Sequence, residues 1–303
     1  MVSNYRIVCL SSALLLCGSI IAGPAVAADK VKPTQKVTAE DAFRQGVAAM
    51  SAGQIEVAVE RFERCTELKI DLKECWYNLG LAWGRKRKFV LEAKAYQKAI
   101  ELDPTYGRAH FNLALVLEDL GKAAESIVHY DKAIAAEPNA QDARLNRAML
   151  LLRLKRVDDA VRGFRSATKI KESNPEAWFD LAQALEIQAD PLDEPKRTKG
   201  LREAVKTYYR CLQHASKHHR AWYNIGVVHH RLKDSASEIA AYKKALEIKG
   251  GYTPALYNLA FALRDSGDKT TAKQAFQRYL AVAGKRKSEK RFIRAAKAAL
   301  SRL

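Results

Sequence analysis

Five asparagines, Asn78, Asn112, Asn146, Asn224 and Asn258, stand at intervals built from a single 34-residue step that is lengthened once. Each follows a bulky side chain, Tyr77, Phe111, Leu145, Tyr223 and Tyr257 in turn, and one helical turn further on come Leu81, Leu115, Met149, Val227 and Phe261. A carboxamide both donates and accepts hydrogen bonds, so a row of them can pair with the backbone of an extended peptide without reading its side chains. Rings beside the row add contact area. The chemistry this predicts is recognition, carried by Tyr77, Asn78, Leu81, Phe111, Asn112, Leu115, Asn146, Met149, Tyr223, Asn224, Tyr257 and Asn258 as peptide-binding residues. The same amides could instead bond neighbouring backbone, and the bulky residues could bury themselves between helices; register alone leaves both readings open. Arg44 and Asp180 break the row.

Bond-making chemistry has no comparable support. The chain carries no phosphate-cradling glycine loop, no zinc-protease motif and no nucleophile elbow, so no catalytic residue and no cofactor is expected. His214, His218 and His219 cluster at one bend, with His229 and His230 in the following helix, but no cysteine or carboxylate completes a recognised ligand spacing, and no metal is expected either. His110 and His129 read as ordinary helix positions.

The elements that hold the asparagines are amphipathic helices. From Gly107 to Ala140 the chain reads as a hairpin: Ala109, Leu113, Ala114 and Leu117 share one helical face, Gly121 breaks the helix, Ile127, Tyr130, Ala133 and Ile134 line a second, and Pro138 ends it. One such hairpin cannot bury both stripes, so copies must flank it. Small residues recur at Gly46, Gly80, Ala114, Ala148, Ala182, Gly226 and Ala260, and rings at Phe62, Tyr96, Tyr130, Phe164, Tyr208, Tyr242 and Phe276. Both series step by 34 residues and lengthen at the same place. A small residue in the first helix lets the second approach, and the ring fills the space this creates.

With WYNLG at Trp76–Gly80, WYNIG at Trp222–Gly226, a third tryptophan at Trp178, and Ala99, Ala133, Ala167 and Ala245 three residues after the ring, the chain resembles the tetratricopeptide repeat family over roughly Ala39 to Arg286. The resemblance implies an all-α, right-handed superhelical solenoid of antiparallel helix hairpins, whose inner groove is lined by first helices. Seven repeats are expected, at 39–72, 73–106, 107–140, 141–174, 175–218, 219–252 and 253–286, followed by a C-terminal capping helix, 287–303, with Phe292, Ala295, Ala296, Ala299 and Leu303 on its apolar face. The extra ten residues fall in the fifth repeat, where ADPLDEPKRTKG, residues 189–200, reads as a loop. Glu92 stands where an Ala is expected and would displace its helix slightly. Tyr279 replaces a small residue, which suits an end where no further hairpin packs. The form of this fold that grips acidic chaperone tails uses Lys positions that are aromatic or aliphatic here, so that function is not supported.

Before the repeats, Arg6, the apolar run Ile7–Gly23 and Ala25-Val26-Ala27 read as a secretory signal peptide, residues 1–27, with a polar lead at 28–38. The alternative is an uncleaved anchor, for which the apolar run is marginal. Export predicts a periplasmic or extracellular protein, and losing Arg6 lowers the +18 net charge by only one. Such a charge attracts anions; an exported chain meets an anionic envelope component before nucleic acid, which is disfavoured as a partner. Cys65 and Cys75 each stand about one turn from the same bend and are expected to form a disulfide, two small buried thiols being the alternative. Cys211 reads as core. The function expected is a non-catalytic protein-interaction scaffold in assembly of a cell-envelope complex, with electrostatic binding of anionic polymer or lipid as the alternative.

Overall fold

The structure, a computed structural model, describes residues 37–284 and 286–303, so the expected signal peptide and nearly all of the polar lead lie outside the described residues. The described residues contain no strand. The chain forms two compact units, residues Met1–Leu150 and Leu151–Leu303.

The first unit holds α1 (Ala39–Ser51), α2 (Ile55–Leu68), α3 (Lys73–Arg85), α4 (Phe89–Leu102), α5 (Gly107–Asp119), α6 (Ala123–Ala136) and most of α7 (Gln141–Arg153). In it α1 packs on α2, α3 on α4 and α5 on α6, and α2 and α4 each pack on the helix that follows. Ala143 and Leu150 of α7 close the last core with Ala114, Leu115, Tyr130 and Ala133. The second unit holds α8 (Val157–Ile170), α9 (Pro175–Ala189), α10 (Lys196–His214), α11 (His219–Arg231), α12 (Ser235–Ile248), α13 (Thr253–Asp265), α14 (Lys269–Ala283) and, after a single 3₁₀ turn at Lys287–Glu289, α15 (Lys290–Leu300). Each of these helices packs on its successor. Within each unit this is a solenoid arrangement: hairpin stacked on hairpin in chain order.

Small residues and rings mesh as their spacing predicts. Phe62, Tyr96, Tyr130, Phe164, Tyr208, Tyr242 and Phe276 are all at most 1% exposed. A Cβ built on Gly46, Gly80 or Gly226 would lie 2.6, 2.5 or 2.4 Å from the ring of Phe62, Tyr96 or Tyr242, a distance no methyl group tolerates. Burying each ring contributes about 2–3 kcal/mol. Between the two helices of a hairpin the chain reverses through one left-handed residue: Gly53, Arg87, Gly121, Lys155, Lys233 or Gly267. Gly121, at φ 74°, takes this conformation without strain, whereas Arg87, Lys155 and Lys233 hold it at the cost of a Cβ clash.

Two sequence expectations change, the 189–200 loop and the apolar face of the capping helix. Only residues 190–195 of the expected 189–200 loop are non-helical: Ala189 closes α9 and Lys196–Gly200 form the opening turn of α10. Pro195 at the N-cap starts that helix, and Gly200 lets it run close to Ala189, where a Cβ would come within 2.8 Å. Glu92 sits beside Gly84, where a Cβ would meet its carboxylate at 2.7 Å, and the carboxylate accepts from the Tyr96 hydroxyl. Tyr279 is fully buried where only the single helix α15 follows, and its hydroxyl donates to Glu289 at 2.9 Å from the turn before α15. The capping helix packs through the expected Ala296, Ala299 and Leu303 together with Ile293 and Leu300, whereas Phe292 is 45% exposed, resting edge-on to Tyr257 at 5.3 Å.

Candidate functional site

The five asparagines lie on α3, α5, α7, α11 and α13, the first helices of their hairpins, and their amides are already partly engaged. In the first unit Asn112 Nδ2 donates to the Tyr77 hydroxyl at 3.0 Å, and Asn78 Nδ2 turns back to the Glu74 carbonyl at 2.8 Å. Asn146 is buried, at 4% exposure. In the second unit Asn224 donates to the Tyr208 hydroxyl at 2.9 Å, and Asn258 to the hydroxyls of Tyr223 and Tyr242, both at 3.3 Å. The donor therefore goes to a tyrosine of the preceding repeat. Where that repeat offers phenylalanine rings, Phe43 and Phe62, Asn78 bonds its own helix.

Tyrosine chemistry fixes which way the amide points. Tyr208 gives its proton to Glu186, so its oxygen can only accept, and Asn224 must set its nitrogen inward and Oδ1 outward. The Oδ1 atoms of Asn78, Asn112, Asn224 and Asn258 take no hydrogen bond among the described residues, and all four residues are partly exposed. Around them Leu81, Phe111, Met149, Tyr223, Tyr257 and Phe261 are partly exposed, whereas Tyr77 and Leu115 are buried. The sequence-predicted residues thus divide into a partly open set and a packed set.

Asp180, at the asparagine position of α9, differs. Its carboxyl receives no hydrogen bond among the described residues, and burial, with Glu176 one turn away, pushes it up to about 7 against the opposing pull of Arg220. Arg220 lies over the Phe179 ring at 4.6 Å. Burial also raises Glu186 to about 7, although Tyr208 and Arg231 both hydrogen-bond to it, the latter at 3.2 Å.

Other repeated positions are structural. The indole nitrogens of Trp76, Trp178 and Trp222 donate to the carbonyls of Ile70, Glu172 and Ser216, six residues earlier, which pins each inter-hairpin bend. His218 caps α11 through Nδ1, accepting from the Ala221 amide at 3.0 Å, and its Nε2 faces Glu176 at 3.1 Å. Among the described residues no group of three or more His, Cys, Asp or Glu side chains could hold a metal ion, and no helix is long and apolar enough to cross a membrane. Cys65 and Cys75, both buried, have Cα atoms 5.9 Å apart, within the span of a disulfide; Cys211 is buried and free.

Comparison with known proteins matches the tetratricopeptide repeat pattern to residues 111–175, 219–252 and 254–282, and the TPR repeat pattern to 93–121. The chain belongs to the tetratricopeptide repeat family. Among relatives, the BBSome complex member BBS4 homolog of Drosophila melanogaster is 25% identical over 89 residues, 29% of this chain and 18% of that protein. Protein O-mannosyl-transferase TMTC3 of Homo sapiens is 23% identical over 221 residues, 68% of this chain and 23% of that protein. This chain thus spans about a fifth of the length of each. Among solved structures, YrrB, described as a TPR protein with an unusual peptide-binding site, superposes with a TM-score of 0.56 at 20% identity, covering 66% of this chain and 98% of that one. The C-terminal part of a TPR repeat-containing protein from Cytophaga hutchinsonii gives 0.69 at 15% identity, over 83% and 99%. PilF of Pseudomonas aeruginosa gives 0.55 at 16%, over 75% and 96%. These likenesses establish the tetratricopeptide fold.

Proposed function

We propose that this chain is a non-catalytic scaffold that holds a peptide or helix of a partner protein against the first helices of its tetratricopeptide repeats, in assembly of a cell-envelope complex. One observation carries the reading: tyrosine hydroxyls occupy the donor side of the asparagines, so an outward carbonyl oxygen stands at Asn112 in the first unit and two recur at Asn224 and Asn258 in the second. Within each unit such oxygens suit the backbone N–H groups of an extended chain, with Leu81 and Phe111 as apolar contacts in the first and Tyr257 in the second. The peptide-binding description of YrrB is in keeping with it. Export is supported by the Arg6, Ile7–Gly23 and Ala25–Ala27 pattern, and the approach of Cys65 to Cys75 fits a compartment where disulfides persist. A photo-crosslinking residue at Leu81 should capture a discrete partner in cells, and one at Val128, 52% exposed on a second helix, should not. Equal capture from both positions removes the proposal.

The second reading, an electrostatic hold on an anionic envelope component, draws on Arg87, Lys155 and Lys233, which keep cations at strained turn positions where glycine is easier. Salt separates the two: charge-driven association collapses between low and moderate ionic strength, and binding at the asparagine face persists.

A further inference from the structure

His110 stands where other repeats carry the bend-pinning tryptophan, and it does the same work: Nε2 lies 3.0 Å from the Pro104 carbonyl, six residues earlier. A carbonyl only accepts, so Nε2 carries the proton and Nδ1 a lone pair. That lone pair faces Nδ1 of His129 on α6 at 2.9 Å, which makes His129 the donor of the pair. The rings stack at 5.1 Å, and His110 is fully buried. Both imidazoles are neutral in this arrangement: the Pro104 carbonyl sets the tautomer of His110, and His110 in turn sets that of His129.

The surroundings give a cation no counter-charge. The charged groups that bear on the pair are Lys132 and Glu125 of α6 and Asp103 of the preceding bend. Lys132 repels an imidazolium. Asp103 is already held by Lys73 at 2.6 Å, and Glu125 by Lys122 at 3.2 Å. One added proton would go to His129 Nε2 and leave the Nδ1–H···Nδ1 bond in place, at the cost of burying charge. A second would set two N–H groups nose to nose. Burial, and for His129 the neighbouring His110 as well, hold both rings below the ordinary histidine value, His129 at about 4.

We propose that the His110–His129 contact is an acid-sensitive latch, which keeps α5 docked on α6 while both rings are neutral and releases it when the pair is protonated. Between the ordinary value of 6.5 and about 4 the unfolded hairpin binds more protons than the folded one, so acidification draws stability from this hairpin. Phe111 and Asn112 follow His110 directly, so the latch also governs partner release if the proposed function holds; the latch itself is tested without any partner.

In the full chain, hydrogen exchange corrected for intrinsic rates should show α5 and α6 losing protection by about tenfold between pH 7 and pH 4.5, more than α3 and α4. His129→Gln, whose amide can still donate to His110, should abolish most of that difference. Undiminished protection at pH 4.5, or full pH dependence in H129Q, overturns the latch. Should H129Q fail to fold, nitrogen NMR of the wild-type rings decides: protons on Nε2 of His110 and Nδ1 of His129 at pH 7, with joint titration below pH 6, support it, and an Nδ1 proton on His110 refutes it.

Discussion

Replacing Asp180 by Asn should stabilise the protein at neutral and alkaline pH, because the wild-type carboxyl is ionised where the fold does not favour a charge. From the ordinary 3.8 to about 7 is a little over three decades of proton affinity. Sealed from water this would be worth about 4 kcal/mol, but the side chain is partly exposed, and screening reduces the figure to about 1–2 kcal/mol. The sign follows from linkage. A carboxyl with a raised folded value holds its proton more tightly folded than unfolded, so the wild type loses stability as pH rises from about 4 through about 7. Asn does not titrate. Urea denaturation read by fluorescence at pH 4, 6 and 8, with Trp178 two residues away as a local reporter, should give no difference near pH 4 and the full gain at pH 8. An equal gain at every pH, or none at pH 8, would show that Asp180 is neither desolvated nor short of partners.

Gly226→Ala should lower the thermal midpoint, since the new Cβ meets the Tyr242 ring at 2.4 Å; about 1–3 kcal/mol of overpacking exceeds the gain of about 1 kcal/mol in helix propensity, and a raised midpoint would refute the meshing argument. Lys155→Gly, at φ 61°, should gain about 0.5 kcal/mol in chemical denaturation, strain relief of about 1 kcal/mol outweighing the added freedom of the unfolded chain; a loss would count against strain there. Alkylation with and without reductant should show Cys65 and Cys75 protected until reduced, with about 2–3 kcal/mol lost on reduction, whereas free labelling in unfolded, unreduced protein would exclude the bridge.

Period, ring and small-residue spacing were enough to place helices and core, because meshing at the hairpin interface constrains residue size and size is visible in sequence. What escaped was polar satisfaction. Each tyrosine of the ring series has a nearby carboxylate from one of two positions: Glu92 and Glu238 one turn before Tyr96 and Tyr242, Glu118 and Glu186 on the helix preceding Tyr130 and Tyr208. Phe62, Phe164 and Phe276 have none. A buried hydroxyl left unpaired costs about 1–3 kcal/mol, so tyrosine and carboxylate travel together. That covariation between repeats was there to be read, and it would have explained Glu92. The same comparison would have shown that an asparagine donates to a preceding tyrosine, and that Asp180 follows a repeat whose core ring is Phe164. The His110–His129 contact carried no such signal, since neither residue recurs. The insertion misled because prolines and charges mark a break without saying where the next helix resumes.

The claim on which the account turns is that outward asparagine oxygens hold a partner's backbone. Once a partner segment is in hand, calorimetric titration of wild type against Asn224→Ala/Asn258→Ala, with helicity matched by circular dichroism, measures it directly. Two lost hydrogen bonds of about 1 kcal/mol each predict an affinity weaker by about tenfold or more. An unchanged affinity in a fully helical double variant would mean that these asparagines only stitch repeat to repeat.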